Sequence, residues 1–168
     1  MKYSLKSVIL SIFLISLISF LLINQGMPAG INVNKNQNIE IYDLRCEGLK
    51  NPLGIDVVQP RLSWKMRSSI RGQKQTAYRI LVSDNPESLE KEIGNLWDTG
   101  KIMSDQSIRV VYSGTGLHSE EFIYWKVQVW DKDGNASGWS KTQHWSMGLL
   151  NPSDWKAKWI GLDKDVGD

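Results

Sequence analysis

The sequence predicts an all-β domain, a seven-stranded Greek-key sandwich, preceded by a helical signal segment. Three observations carry this. From Ile39 onward, short runs of alternating apolar and polar residues recur at about 8–12-residue spacing, with turn residues between them. After Ile23 apolar residues nowhere recur at helical spacing over more than two turns. All eight tryptophans lie from Trp64 onward, so the core is built from few, bulky pieces.

The elements follow in order. Ile39–Cys46 alternates and reads as a first strand. Asn51-Pro52-Leu53-Gly54 is a turn signature. Pro60 opens a second strand, with Leu62, Trp64 and Met66 on one face; Ser68–Lys74 is a loop. Ala77–Ser83 places Tyr78, Ile80 and Val82 together. Asp84-Asn85-Pro86 starts a turn, and Glu87–Ile93 reads as one short helical stretch. Leu96–Ile102 is strand-like around Trp97, and Ser107–Tyr112 alternates again. Ile123, Trp125, Val127 and Val129 share a face of the next strand, which stops at an Asp133-Gly134-Asn135 turn. The last strand carries Gln143, Trp145 and Met147 in phase. About ten bulky side chains, each worth about 1.5–3 kcal/mol when fully buried, suffice to hold such a domain without a disulfide.

The flanks differ in character. Lys2 and Lys6 precede an unbroken run of Ile, Leu, Val, Phe and Ser from Val8 to Ile23. This pattern fits a Sec-type signal peptide over residues 1–29, or an uncleaved membrane anchor through residues 5–23. Either way the remainder is expected to be exported, to the periplasm or the extracellular space. Residues 30–38 are Asn-rich and read as a linker, 39–148 as the sandwich, and 149–168 as the start of a following β domain. Two Trp and an Ile in that last stretch need a cover, so the chain is expected to be the front end of something longer.

Composition removes several chemistries. Without Lys2 and Lys6 the chain has 18 basic and 18 acidic residues and no basic patch, so no nucleic-acid partner is expected. The single Cys46 at strand spacing reads as a small buried hydrophobe, and the two histidines, His118 and His144, lack metal-ligand spacing. No metal or cofactor is expected. Asp131 and Asp133 flank a turn that favours Asp for its own sake. The other acids are scattered through loops, and no nucleophile elbow or phosphate-binding Gly-rich loop is present, so no catalytic residue is assigned.

The motifs taken in order are more specific than any one alone. They are Asn51-Pro52-Leu53-Gly54, Pro60-Arg61-Leu62-Ser63-Trp64, Gln75-Thr76-Ala77-Tyr78-Arg79-Ile80-Leu81-Val82 and Leu96-Trp97-Asp98-Thr99-Gly100-Lys101. Tyr124-Trp125-Lys126-Val127, Trp130-Asp131-Lys132-Asp133-Gly134 and Trp155-Lys156-Ala157-Lys158-Trp159-Ile160-Gly161 follow. Over residues 39–163 this series resembles the N-terminal region of bacterial α-L-rhamnosidases of glycoside hydrolase family 78. The resemblance implies a fibronectin type III or immunoglobulin-like first domain, with Trp155 onward opening a jelly-roll-like β domain. It also implies that inverting hydrolysis of terminal α-L-rhamnose is carried by acids of a later (α/α)6 barrel, matched by no position here. The implied partners are the C-terminal domains of the parent and a rhamnose-containing glycan.

Two other functional classes stay open on the residues. A stand-alone carbohydrate- or protein-binding module would use Trp130 and Tyr124, which share with Lys126 and Gln128 the face opposite Trp125. Trp130 is equally expected to be covered by a neighbouring strand or domain. A membrane-anchored structural domain would require an uncleaved leader.

Overall fold

The computed structural model describes residues 39–158; the expected leader and linker and residues 159–168 lie outside them. Its strands are β1 (Glu40–Cys46), β2 (Arg61–Arg67), β3 (Ala77–Ser83), β4 (Trp97–Asp98), β5 (Val110–Val111), β6 (Phe122–Trp130) and β7 (Gln143–Ser146). One short helix, α1 (Pro86–Glu90), follows β3, and a 3-10 turn spans Pro152–Asp154. The strands form two antiparallel sheets, one in the order β1-β2-β5 and the other β4-β3-β6-β7. This is the seven-stranded sandwich read from the periodicity, and it is immunoglobulin-like, as the resemblance implies.

The core lies between the sheets. Ile123, Trp125, Val127 and Val129 of β6 are fully buried, as are Ile80 and Val82 of β3 with Tyr78 beside them. Leu62 and Trp64 from β2 and Trp145 from β7 close it. Trp64 meets Tyr78 edge-on at 5.3 Å between ring centroids, a favoured aromatic geometry. Its indole N–H donates to Gln75 Oε1 at 3.0 Å, and the Gln75 amide donates to the carbonyls of Ser104 and Gln106. Cys46 is buried in this core, and burial pushes its thiol up to about 12, as for an inert packing residue.

Departures from simple alternation have local causes. Along β1 and the residue before it, Ile39 and Ile41 face the core and so do Leu44 and Cys46, an odd-to-even slip. A bulge between Tyr42 and Arg45 absorbs the extra residue, with Asp43 at φ 49°. β4 is only two residues long because Gly100, at φ 59°, breaks the strand, although Ile102 pairs again with Tyr78. β5 is short because Arg109, at φ 55°, turns the chain just before it.

The helix also has a readable start and stop. The Asn85 side chain accepts from the Glu87 N–H at 2.8 Å, and Pro86 occupies the first turn. Glu92, at φ 60°, ends it. Its N–H bonds Leu89 O at 2.9 Å and the Ile93 N–H bonds Ser88 O at 2.9 Å, a Schellman closure. The helical stretch therefore stops short of the expected Ile93.

The segment between β1 and β2 is more than a turn. It crosses to the other sheet and runs parallel to β7, with Ile55 bridging Met147. Pro52 O accepts from Ser146 N at 3.0 Å, and Gly148 N donates to Ile55 O at 2.7 Å. This covers the free edge of β7, where an unpaired strand would invite association.

Candidate functional site

The outer face of the four-stranded sheet holds the residues singled out for binding. β6 turns Tyr124, Lys126, Gln128 and Trp130 to this face, while Trp125, Val127 and Val129 point inward. Tyr124 and Trp130 are each half-buried, but they lie six positions apart along the strand. At about 3.3 Å per residue they stand about 20 Å apart and do not converge on one small ligand. Tyr124 lies beside His144, 6.2 Å between rings, and His144 is 6.3 Å from Phe122. Trp130 carries the Lys101 ammonium over its ring at 4.6 Å from the centroid.

Between them the sheet is occupied by the chain itself. α1 lies over β3 and β6, so Leu81 and Leu89 are fully buried and β3 is covered on both faces. Lys126 is buried there too. Its Nζ donates to the Leu89 carbonyl and sits 4.6 Å from the Trp139 ring centroid. Burial lowers its pKa below the ordinary lysine value, while the aromatic face and the helix carbonyl hold the charge. Arg79 stacks over the same Trp139 and is bidentate to Asp98, at 2.9 and 2.7 Å. The Arg79 hydrogen bonds hold the Asp98 carboxyl below the usual carboxylate range.

Trp139 is placed by an arm that replaces a strand with hydroxyls. Ser137 and Ser140 accept from the backbone N–H groups of Val129 and Val127, at 3.1 and 3.0 Å. Their own N–H groups donate back to Val129 O and Val127 O. Trp139-Ser140 has a counterpart in Trp145-Ser146, where Ser146 Oγ accepts from Gly54 N at 2.9 Å. Both pairs thus serve strand-edge bonding. Beside the arm, a groove of about 340 Å³ opens between β1 and β7, lined by Tyr42, Asp43, Lys50, Trp139, Lys141 and Gln143 among others.

The opposite sheet presents ion pairs outward. Asp43 bonds Lys65 and Arg45, Glu47 bonds Arg61, and Glu40 bonds Arg67. The acids so paired are held below their ordinary pKa by those hydrogen bonds, Asp43 to about 2. Such carboxylates are kept ionised, unlike a general acid, whose pKa must be raised toward neutrality. Asp131 accepts from the N–H groups of Asp133 and Asn135 at 2.9 and 2.8 Å, in a turn-forming role. Among the described residues no three His, Cys, Asp or Glu side chains form a group that could hold a metal ion. No helix among them is long and apolar enough to cross a membrane.

The buried polar residues Gln75 and Lys126 and the serine hydroxyls were missed by sequence reasoning. Gln75 and Lys126 carry polar side chains that periodicity assigns no buried partner. Trp-Ser occurs twice, at 139–140 and 145–146, which marks Ser140 and Ser146 but not Ser137.

Comparison with known proteins places this geometry. Residues 41–151 match the family described as Rha78A-like, N-terminal immunoglobulin domain. An α-L-rhamnosidase of Streptomyces avermitilis is 43% identical over 114 residues, 68% of this chain and 11% of that protein. One from Alteromonas sp. is 38% identical over 156 residues, 92% of this chain and 16% of that protein. The crystal structure of the S. avermitilis α-L-rhamnosidase complexed with L-rhamnose superposes with a TM-score of 0.69 at 40% identity, over 73% of this chain and 12% of that one. The α-L-rhamnosidase from Dictyoglumus thermophilum gives the same TM-score of 0.69 and identity of 40%, over 14% of its chain. The sandwich, its strand order and these matches together show that the chain belongs to the family of Rha78A-like N-terminal immunoglobulin domains.

Proposed function

We propose that this chain is the non-catalytic N-terminal module of an exported α-L-rhamnosidase. The parent enzyme would release terminal α-L-rhamnose from glycans or glycosides with inversion, using a carboxylic acid and a water-activating carboxylate on domains beyond this one. The module itself packs against and orients its neighbours. The observation that carries this reading is the extent of the matches. The chain spans only 11% to 16% of α-L-rhamnosidases that it resembles at 38% to 43% identity. The internal engagement of its polar side chains, with Lys126 under α1 and the paired carboxylates on the other sheet, supports a structural role.

The test compares this chain with the product of the complete gene on an aryl α-L-rhamnoside, following the anomer of released rhamnose by NMR. The complete product is expected to turn over and release the β-anomer first, and this chain to give no turnover. Activity in this chain that is lost on a point substitution within residues 39–158 would overturn the reading. N-terminal sequencing of the protein recovered from cell fractions tests export and cleavage near Ala29.

A further inference from the structure

We infer that Leu53, Phe122 and Leu149 form the seat on which the next domain of the same polypeptide packs, an inference that rests on the reading of the chain as a rhamnosidase module. All three belong to backbone segments tied at or next to Ser146. Phe122 and Ser146 are paired residues of β6 and β7, and Leu53 lies between Pro52 and Gly54, both hydrogen-bonded to Ser146. Leu149 follows three residues after Ser146, next to Gly148, whose carbonyl accepts from Glu120 N at 3.2 Å. Leu53 is 70% exposed, Phe122 51% and Leu149 38%. The β6–β7 pairing holds Phe122, and bonds of the residues beside Leu53 and Leu149 anchor those two positions, so the apolar side chains sit on held backbone.

The occupant is indicated by where the chain goes. The matched family is an N-terminal domain, so in its members the rest of the protein follows β7. The path out of β7 is clamped. Ser119 Oγ accepts from Leu150 N at 2.8 Å and donates to the Asp154 carboxylate. The same carboxylate accepts from the backbone and side-chain N–H groups of Asn151, at 3.1 and 3.2 Å. Residues 150–154, which follow Leu149 directly, are thus held in place. A domain tethered there is held at high effective concentration, and a small apolar seat is enough to dock it.

Hydroxyl-radical footprinting of this 168-residue chain and of the complete gene product tests the assignment. Labelling of Leu53 and Phe122 is expected to fall severalfold in the complete product. Ile108 and Met103, exposed elsewhere at 67% and 72%, are expected to label equally in both. Equal labelling of Phe122 and Leu53 in the two proteins, or protection of Ile108 in their place, would overturn the seat even if the complete product hydrolyses rhamnosides. Protection of Phe122 in a complete product without rhamnosidase activity would support the seat and reject the enzymatic reading alone.

Discussion

The side-chain carbonyl of Asn51 accepts a hydrogen bond from the backbone N–H of His144 at 3.1 Å, across 93 residues of sequence. It is the first rung of the pairing that carries the β1–β2 segment along the edge of β7. Asn51 adopts φ 45°, a left-handed conformation that Asn tolerates better than most residues. Asn51→Ala therefore loses both the acceptor and the conformational preference. A loss of about 1–3 kcal/mol is expected by chemical denaturation. Hydrogen exchange at Ser146 and Gly148 should accelerate with it.

Gln75 is buried among three partners, the Trp64 indole and the carbonyls of Ser104 and Gln106. Gln75→Leu keeps the bulk and strands all three. The expected cost is about 1–3 kcal/mol, the penalty for leaving buried polar groups unmet. The double variant with Trp64→Phe should cost less than the sum of the two single changes, because the indole donor no longer needs an acceptor. Additivity in urea denaturation would contradict the coupling.

Glu92 closes α1 in a position that glycine fills at less conformational cost, at φ 60°. Glu92→Gly is expected to stabilise the domain by about 0.5–1 kcal/mol, or leave it unchanged where the greater freedom of the unfolded chain offsets the relief. The same substitution at Lys91, with φ −84°, should destabilise it. Thermal melts of the two variants side by side make the comparison.

Asp43 links the β1 bulge to the pH response. Its hydrogen bonds to Lys65 and Arg45 lower its pKa from 3.8 to about 2. The folded state therefore binds the proton less readily than the unfolded chain. The resulting stability is present above the unfolded value and is lost as pH falls from near 4 to near 2. Asp43→Asn should flatten that part of the stability profile and leave the neutral-to-alkaline part unchanged in shape. Denaturation midpoints measured from pH 2 to pH 7 read this directly.

Much of the sandwich was legible in the chain. Alternation put Ile123, Trp125, Val127 and Val129 in the core with Tyr78, Ile80 and Val82, and they are there. Even the β1 bulge is visible in hindsight, in the slip from Ile39 and Ile41 to Leu44 and Cys46. The limit appears at Leu81 and Lys126. Period-two patterning assigns them to an outward face, and α1 then buries that face.

The sequence by itself determined which faces are apolar, where the turns fall and which family the ordered motifs resemble, because period, turn chemistry and motif spacing are local properties. Tertiary structure alone decided that Asn51-Pro52-Leu53-Gly54 guards β7, that Ser137 and Ser140 substitute for ladder partners, and that α1 covers Leu81 and Lys126. Each of these depends on which distant backbone a segment meets. Alternation records which side a residue faces, and leaves open what covers it.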